Sequence, residues 1–176
     1  MAGIAALLVL ILLSAAILVA TERPEQGCEP GEFSSQRFGY CLALPDGWMG
    51  LAAGKGSRFE VASADLIQAA DAPASILISA SPIEEGQLDA FVEQVRQRDT
   101  EAGAFSQGTT MEGEVAGGPA SIFDALAPRG PTPMQIREIL FVRNGFVWRI
   151  QLTSVDRTFD ADTRELERIL ETWRFT

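Results

Sequence analysis

The sequence predicts an α/β domain built on an antiparallel sheet, set behind an apolar N-terminal segment. Three observations carry that expectation. Short apolar runs, several of them alternating with small or polar residues, recur along the chain as strands do. Two longer segments place apolar residues at helical spacing. Their order of strand, strand, helix, hairpin strands and helix favours an antiparallel sheet with helices packed on it.

The elements follow in chain order. Residues 2–20, "AGIAALLVLILLSAAILVA", contain no charge. As a helix they extend about 28 Å, close to the hydrocarbon thickness of a bilayer. They are expected to be a single-pass membrane anchor, with the domain outside the cytoplasm. A cleaved signal segment over 1–21 is the alternative. Against it, no Lys or Arg precedes Arg23, and a cut after Ala20 puts Leu18 at position −3. Cys28 follows Glu25-Gln26-Gly27, which lacks the pattern of a lipoprotein acceptor site. Residues 22–32, rich in Glu, Pro and Gly, read as a linker, and 33–176 as the domain.

The first strand is expected over 38–44, where Phe38, Tyr40, Leu42 and Leu44 alternate with Gly39, Cys41 and Ala43. Pro45 ends it, Asp46-Gly47 supplies a turn, and Trp48 offers a core anchor just beyond. Residues 59–70 fit a strand or a short helix; periodicity does not decide. "SILISAS", 75–81, reads as a buried strand. In "GQLDAFVEQVRQRD", Leu88, Phe91, Val92 and Val95 form the buried stripe of a surface helix. Strands at 105–114 and 119–127 flank a turn at Gly117-Gly118. In the second, Asp124 interrupts the face of Ala120, Ile122 and Leu126. "PRGPTP", 128–133, is a loop. Strands 134–143 and 146–154 are joined by Asn144-Gly145, the preferred pair for a type I′ hairpin. Phe146, Trp148, Ile150 and Leu152 make its buried face, with Arg149 and Gln151 on the mostly polar one. A final helix over 160–172 carries Leu166, Ile169, Leu170 and Trp173 on one stripe, and Arg174, Phe175 and Thr176 close the chain.

The formal charge is −10, all of it at or after Glu22. That argues against nucleic acid and anionic lipid surfaces, which want basic patches. Thirteen of the fourteen basic residues are Arg, a bias that a GC-rich bacterial genome explains.

Several motifs taken together suggest a family. They are an apolar strand ending in "LPDGW" (Leu44, Pro45, Gly47 and Trp48), a mid-chain amphipathic helix, and "GGPA" (117–120) entering a strand. A long hairpin and a final helix ending in "ILETWRF" (169–175) complete the set. Over residues 36–176 this ordered set resembles the PsbP-like superfamily, which includes PsbP of photosystem II, a Ran-binding import factor and bacterial exported lipoproteins of the LpqN and DcrB type. The resemblance implies an α/β/α sandwich with a central antiparallel sheet, acting as a non-catalytic binding or assembly module with a protein partner. Where the lipoproteins anchor by a lipidated cysteine, this chain offers an apolar segment instead.

The residues themselves point to little chemistry. There is no histidine, which removes Ser-His-Asp and Cys-His triads and His-containing zinc sites. Two cysteines cannot make a Cys₄ site. "GKGS", 54–57, reads as a solvated turn and not as a phosphate loop. No catalytic, cofactor or metal residue is therefore assigned. Glu84-Glu85 and Asp160/Asp162 precede helices, where acidic groups meet the helix dipole. Asp124, on an apolar face, needs a partner, expected to be an arginine from a facing sheet. Cys28 and Cys41 are the pair for one disulfide, with "EFSSQRF" between them turning the chain back. A buried thiol at Cys41 with an unrelated Cys28 is the other reading. Three functions stay open: a membrane-anchored binding or scaffold domain, a carrier of a small apolar ligand or lipid, and a carboxylate-dependent hydrolase.

Overall fold

A computed structural model describes residues 27–53, 64–128 and 132–176. The apolar segment 2–20, the GKGS turn and the beginning of 59–70 lie outside the described residues. Within them, a small hairpin of β1 (Phe33–Ser35) and β2 (Tyr40–Leu42) comes first, followed by β3 (Trp48–Leu51), β4 (Ala64–Ala69) and β5 (Ser75–Pro82). Helix α1 (Leu88–Glu101) precedes a four-strand run, β6 (Phe105–Val115), β7 (Gly118–Ala127), β8 (Met134–Arg143) and β9 (Phe146–Val155). A 3₁₀ turn at Asp156–Thr158 leads into α2 (Phe159–Glu171), and β10 (Arg174–Phe175) ends the chain.

The strands form a seven-stranded sheet in the order β3-β4-β5-β9-β8-β7-β6 and a three-stranded sheet β1-β2-β10. Every pairing is antiparallel. The large sheet is organised by the β8–β9 hairpin. Asn144 and Gly145 both take positive φ, 53° and 75°, as a type I′ turn requires. That turn sets Arg143 opposite Phe146 and the register of the nine residue pairs behind it.

Both faces of this sheet are covered. On one, α2 packs Phe159, Leu166, Ile169 and Leu170 against Ile76, Ile78, Ile139, Phe141, Trp148, Ile150 and Leu152. On the other, Val92 and Val95 of α1 pack on Phe123, Leu140 and Val147, with Leu88 and Phe91 at the margin. The result is a sheet-rich α/β fold, antiparallel sheets flanked by one helix on each face. The small sheet shares the α2 side, where Tyr40 and Leu42 join the main core. Gly50 allows this stacking: a side chain there would meet the Phe33 ring at 2.1 Å.

Several expectations are corrected. The strand expected over 38–44 is only Tyr40–Leu42, and all three residues are buried, so its alternation does not separate an inner from an outer face. Phe38 and Gly39 belong to the turn from β1. The ambiguous 59–70 segment contains a strand at Ala64–Ala69. The turn expected at Gly117-Gly118 is instead Ala116-Gly117, with φ of 52° and 76°, and Gly118 opens β7. An alanine therefore holds a left-handed conformation that usually falls to Gly or Asn. The polar face of β9 is not a solvent face, because α1 covers Arg149 and Gln151. Arg174 and Phe175 add a third strand beside β2 instead of trailing off.

Trp48 is also corrected. It opens β3 at the margin of the large sheet and is half-buried against the core, whereas Trp173 is 6% exposed. The aromatic centre is Tyr40, Phe141, Trp148 and Trp173. Tyr40 stacks on Trp173 at 4.4 Å, and Trp148 meets Trp173 edge-on at 5.6 Å.

Candidate functional site

On the α2 side lies a groove of about 570 Å³ between α2 and the β6–β7 turn. Its floor is apolar, from Val115, Ile122, Ile139, Leu166, Leu170 and Trp173. Three exposed carboxylates, Glu114, Glu167 and Glu171, stand around it. The volume falls in the range of ordinary ligand sites. Local sequence explains the shape. The α2 stripe turns Leu166 and Leu170 inward while Glu167 and Glu171, one position on, stay at the edge. The left-handed Ala116-Gly117 turn brings Glu114 and Val115 across from them. Within this lining Thr163 is buried and its hydroxyl makes no hydrogen bond among the described residues.

Arg137 enters the same groove, but its charge is spent. Its Nε and Nη2 both donate to Asp124, each at 2.8 Å. The guanidinium also lies 5.5 Å from the Phe159 ring centre. The paired carboxylate holds Arg137 more firmly in its charged form. Asp124 thus has its arginine, but from the neighbouring strand β8 at register position Asp124↔Arg137, not from a facing sheet. The other candidate carboxylates disperse. Glu84 and Glu85 are exposed ahead of α1, and Asp160 is exposed at the start of α2. Asp162 is buried and accepts from the Ser154 hydroxyl.

A second polar system stands at the small sheet. Cys28 and Cys41 are at disulfide distance, with Sγ atoms 2.04 Å apart and Cα atoms 5.4 Å apart. The β1–β2 hairpin brings them together, pairing Ser34 with Cys41 as residues 27–32 run back alongside. Glu32 accepts from Arg174 at 2.5 Å, so this corner ties the N-terminal approach to the C-terminal strand. That ion pair holds the Glu32 carboxyl below its usual range. Leu44, Pro45, Gly47 and Trp48 lie close by. Trp48 N–H donates to Pro45 O at 3.1 Å, closing a turn in which Gly47 takes a φ of 81°. Pro45 and Gly47 shape the backbone there, while Leu44 and Trp48 pack partly buried against the main core.

Sequence reasoning missed the buried polar residues that matter most. Tyr40 is a core residue, as expected, but its hydroxyl donates to Asp65 at 2.6 Å, and Asp65 also accepts from Ala53 N–H at 2.6 Å. Burial, then the Asp65 charge, pushes the Tyr40 hydroxyl well above its usual range. Glu138 and Arg149 were missed too. A signal existed for these two: the Asn144-Gly145 register places Gln151 opposite Glu138, with Arg149 one step diagonal.

The sequence matches no protein-family model and no curated protein. Solved structures are similar to it. Cyanobacterial PsbP from Synechocystis sp. PCC 6803 superposes with a TM-score of 0.59 at 12% identity, covering 82% of this chain and 91% of that one. LpqN of Mycobacterium tuberculosis, described as involved in cell envelope biogenesis, gives 0.55 at 16% identity over 78% and 83%. The Saccharomyces cerevisiae Ran-binding protein Mog1p gives 0.55 at 9% over 82% and 94%. The chain therefore has the PsbP-like fold.

Proposed function

We propose that the protein is a non-catalytic binding or scaffold domain of the cell envelope, held to the membrane by residues 2–20 with its domain outside the cytoplasm. The groove between α2 and the β6–β7 turn receives a segment of a protein partner. The observation that carries this reading is the groove itself, which joins an apolar floor to a rim of Glu114, Glu167 and Glu171. Apolar side chains of a partner would leave water on that floor, and the rim favours a segment that also carries basic groups. Two of the candidate carboxylates are already paired: Asp124 with Arg137, and Asp162 with the Ser154 hydroxyl. The similar fold of Mog1p, a Ran-binding protein, supports a binding role, and that of LpqN, involved in cell envelope biogenesis, supports an envelope setting.

The test is site-directed photocrosslinking of the full-length chain in its native envelope. A photoreactive residue at Glu171 should capture a discrete protein that the same residue at Glu84 does not. Glu167→Lys should weaken the Glu171 crosslink. Identical products from both positions would refute the groove as the docking site.

A further inference from the structure

At β6 the large sheet ends in an edge exposed to solvent. Strand β6 is last in the sheet order and pairs on one side only, with β7. Its first half is irregular: Gly108 takes a φ of 74°, and the register shifts between Gln107 and Met111. A bulge of this kind blunts an edge against further pairing. The second half has no such protection. Met111 to Val115 stand in unbroken register against Ile122 to Gly118.

The hairpin fixes which backbone groups this edge presents. Val115 and Gly118 flank the two-residue turn Ala116-Gly117, so they exchange both backbone hydrogen bonds with each other. Alternation then commits Gly113 to Ala120 and Met111 to Ile122. The N–H and C=O of Glu112 and Glu114 are left pointing away from the sheet. Both residues are exposed, and among the described residues neither bonds a backbone group outside the sheet.

The side chains beside the edge are of two kinds. Gly113 leaves space that Ile122 uses: a Cβ at Gly113 would lie 2.6 Å from Ile122 Cδ1, so Ile122 reaches across β6 toward the edge. Met111, 45% exposed, stands opposite Ile122 on the same face. The apolar floor of the α2-side groove, to which Ile122 belongs, thus continues out over β6. Glu112 and Glu114 alternate with these residues, and among the described residues neither has an ion-pair partner. Arg96 of α1 reaches β6 but donates to Ser106 and Thr110, and Arg143 donates to the Ala116 carbonyl.

We propose that a segment of a protein partner docks here as an added strand, antiparallel to Met111–Val115. Its basic residues stand opposite Glu112 and Glu114, and its apolar residues between them lie on Met111 and Ile122. This rests on the reading of the α2-side groove as a protein-docking site, and adds how the segment lies there. A second copy of this chain fits poorly, because pairing two β6 strands about Gly113 sets Glu112 of each against Glu114 of the other. In antiparallel addition, residues opposite Glu112 and Glu114 exchange hydrogen bonds with them. The segment's basic residues therefore give their N–H groups to β6, and its apolar residues point theirs away.

The experiment is NMR titration of the isotope-labelled full-length chain in neutral detergent. The probe is the acetylated and amidated peptide Lys-Val-Lys-Val-Lys-Val-Lys. The Glu112 and Glu114 amide signals should shift saturably, and their exchange with solvent should slow. The peptide N-methylated at its lysines should bind at least about tenfold more weakly, and the peptide N-methylated at its valines about as well as the parent. The block-order peptide Val-Val-Val-Lys-Lys-Lys-Lys should also lose at least about tenfold. Glu112→Pro removes an outward N–H and no bond within the sheet, and should abolish the shift at Glu114. Equal binding by the two methylated peptides, full binding by the block-order peptide or by Glu112→Pro, or no saturable shift at Glu112 and Glu114 would each overturn the proposal. Saturable shifts at Leu166 and Leu170 with none at Glu112 and Glu114 would overturn the added strand and leave the groove reading standing, which the Glu171 crosslink tests separately.

Discussion

At the scale of single residues, two tryptophans do different work. Trp173 is in contact with Tyr40, Phe141, Trp148 and Phe175, in the densest part of the core. Trp173→Ala should cost about 3–5 kcal/mol in urea unfolding, the usual range for a buried aromatic. Trp48 is half-buried at a sheet margin, and Trp48→Ala should cost clearly less. Equal losses from the two substitutions would contradict the burial difference. A second residue-scale prediction concerns pH. Burial raises the carboxyls of Glu138 and Asp99 above their usual range, against the pull of Arg149. A carboxyl that titrates higher when folded holds its proton longer in the fold than in the unfolded chain. Its contribution to stability is therefore complete at acid pH and is lost as pH rises through the folded pKa. Unfolding free energy should carry a downward component from about pH 4 upward. Asp99→Asn should flatten part of that slope. A slope unchanged in Asp99→Asn would remove Asp99 from the explanation. Glu32 has the opposite sign: lowered by its bond from Arg174, it contributes above the usual carboxylate range and is lost as pH falls below it.

At the scale of elements, the small sheet is the piece most dependent on a covalent tie. Strands β1 and β10 have three and two residues, and each pairs only with β2. Such short strands cannot hold a segment by backbone hydrogen bonds alone. The Cys28–Cys41 pair spans 13 residues of sequence, and closing a loop of that size contributes about 3 kcal/mol by the chain-entropy estimate. Cys28→Ser with Cys41→Ser should therefore lower the urea midpoint and free residues 27–32 for early proteolysis. Alkylation of the native protein without reductant should label neither cysteine. Two labelled thiols would show the pair reduced where the protein works. The Glu32–Arg174 ion pair crosses the same corner, but its arginine is partly exposed and it is expected to add little.

At the scale of the whole molecule, the question is where the domain stands. Among the described residues no helix is long and apolar enough to cross a membrane. The proposed attachment rests on residues 2–20, whose uncharged length suits a bilayer. Protease added to cells with a permeabilised outer envelope should digest the domain while sparing a cytosolic control. Equal protection of both would place the domain inside. A mature N-terminus near residue 21 would show instead that the segment is removed and the domain released.

Local pattern determined much of this protein. The β8–β9 hairpin was legible because Asn144-Gly145 demands a specific backbone, and the helical stripes because 3.6-residue spacing needs no partner to be recognised. The cysteine pairing was legible from a count of two and a short intervening hairpin. Tertiary structure decided what local pattern cannot carry. Glu138 on β8 and Arg149 and Gln151 on β9 read only as polar positions of their strands; with α1 packed over them Glu138 is buried and Arg149 and Gln151 are half-buried. Glu114 and Glu171 lie far apart in the chain, and meet around one groove because sheet order puts the β6–β7 turn beside α2. The physical reason is the same each time: burial and charge pairing depend on which surfaces meet, and a single strand or helix records only one of them.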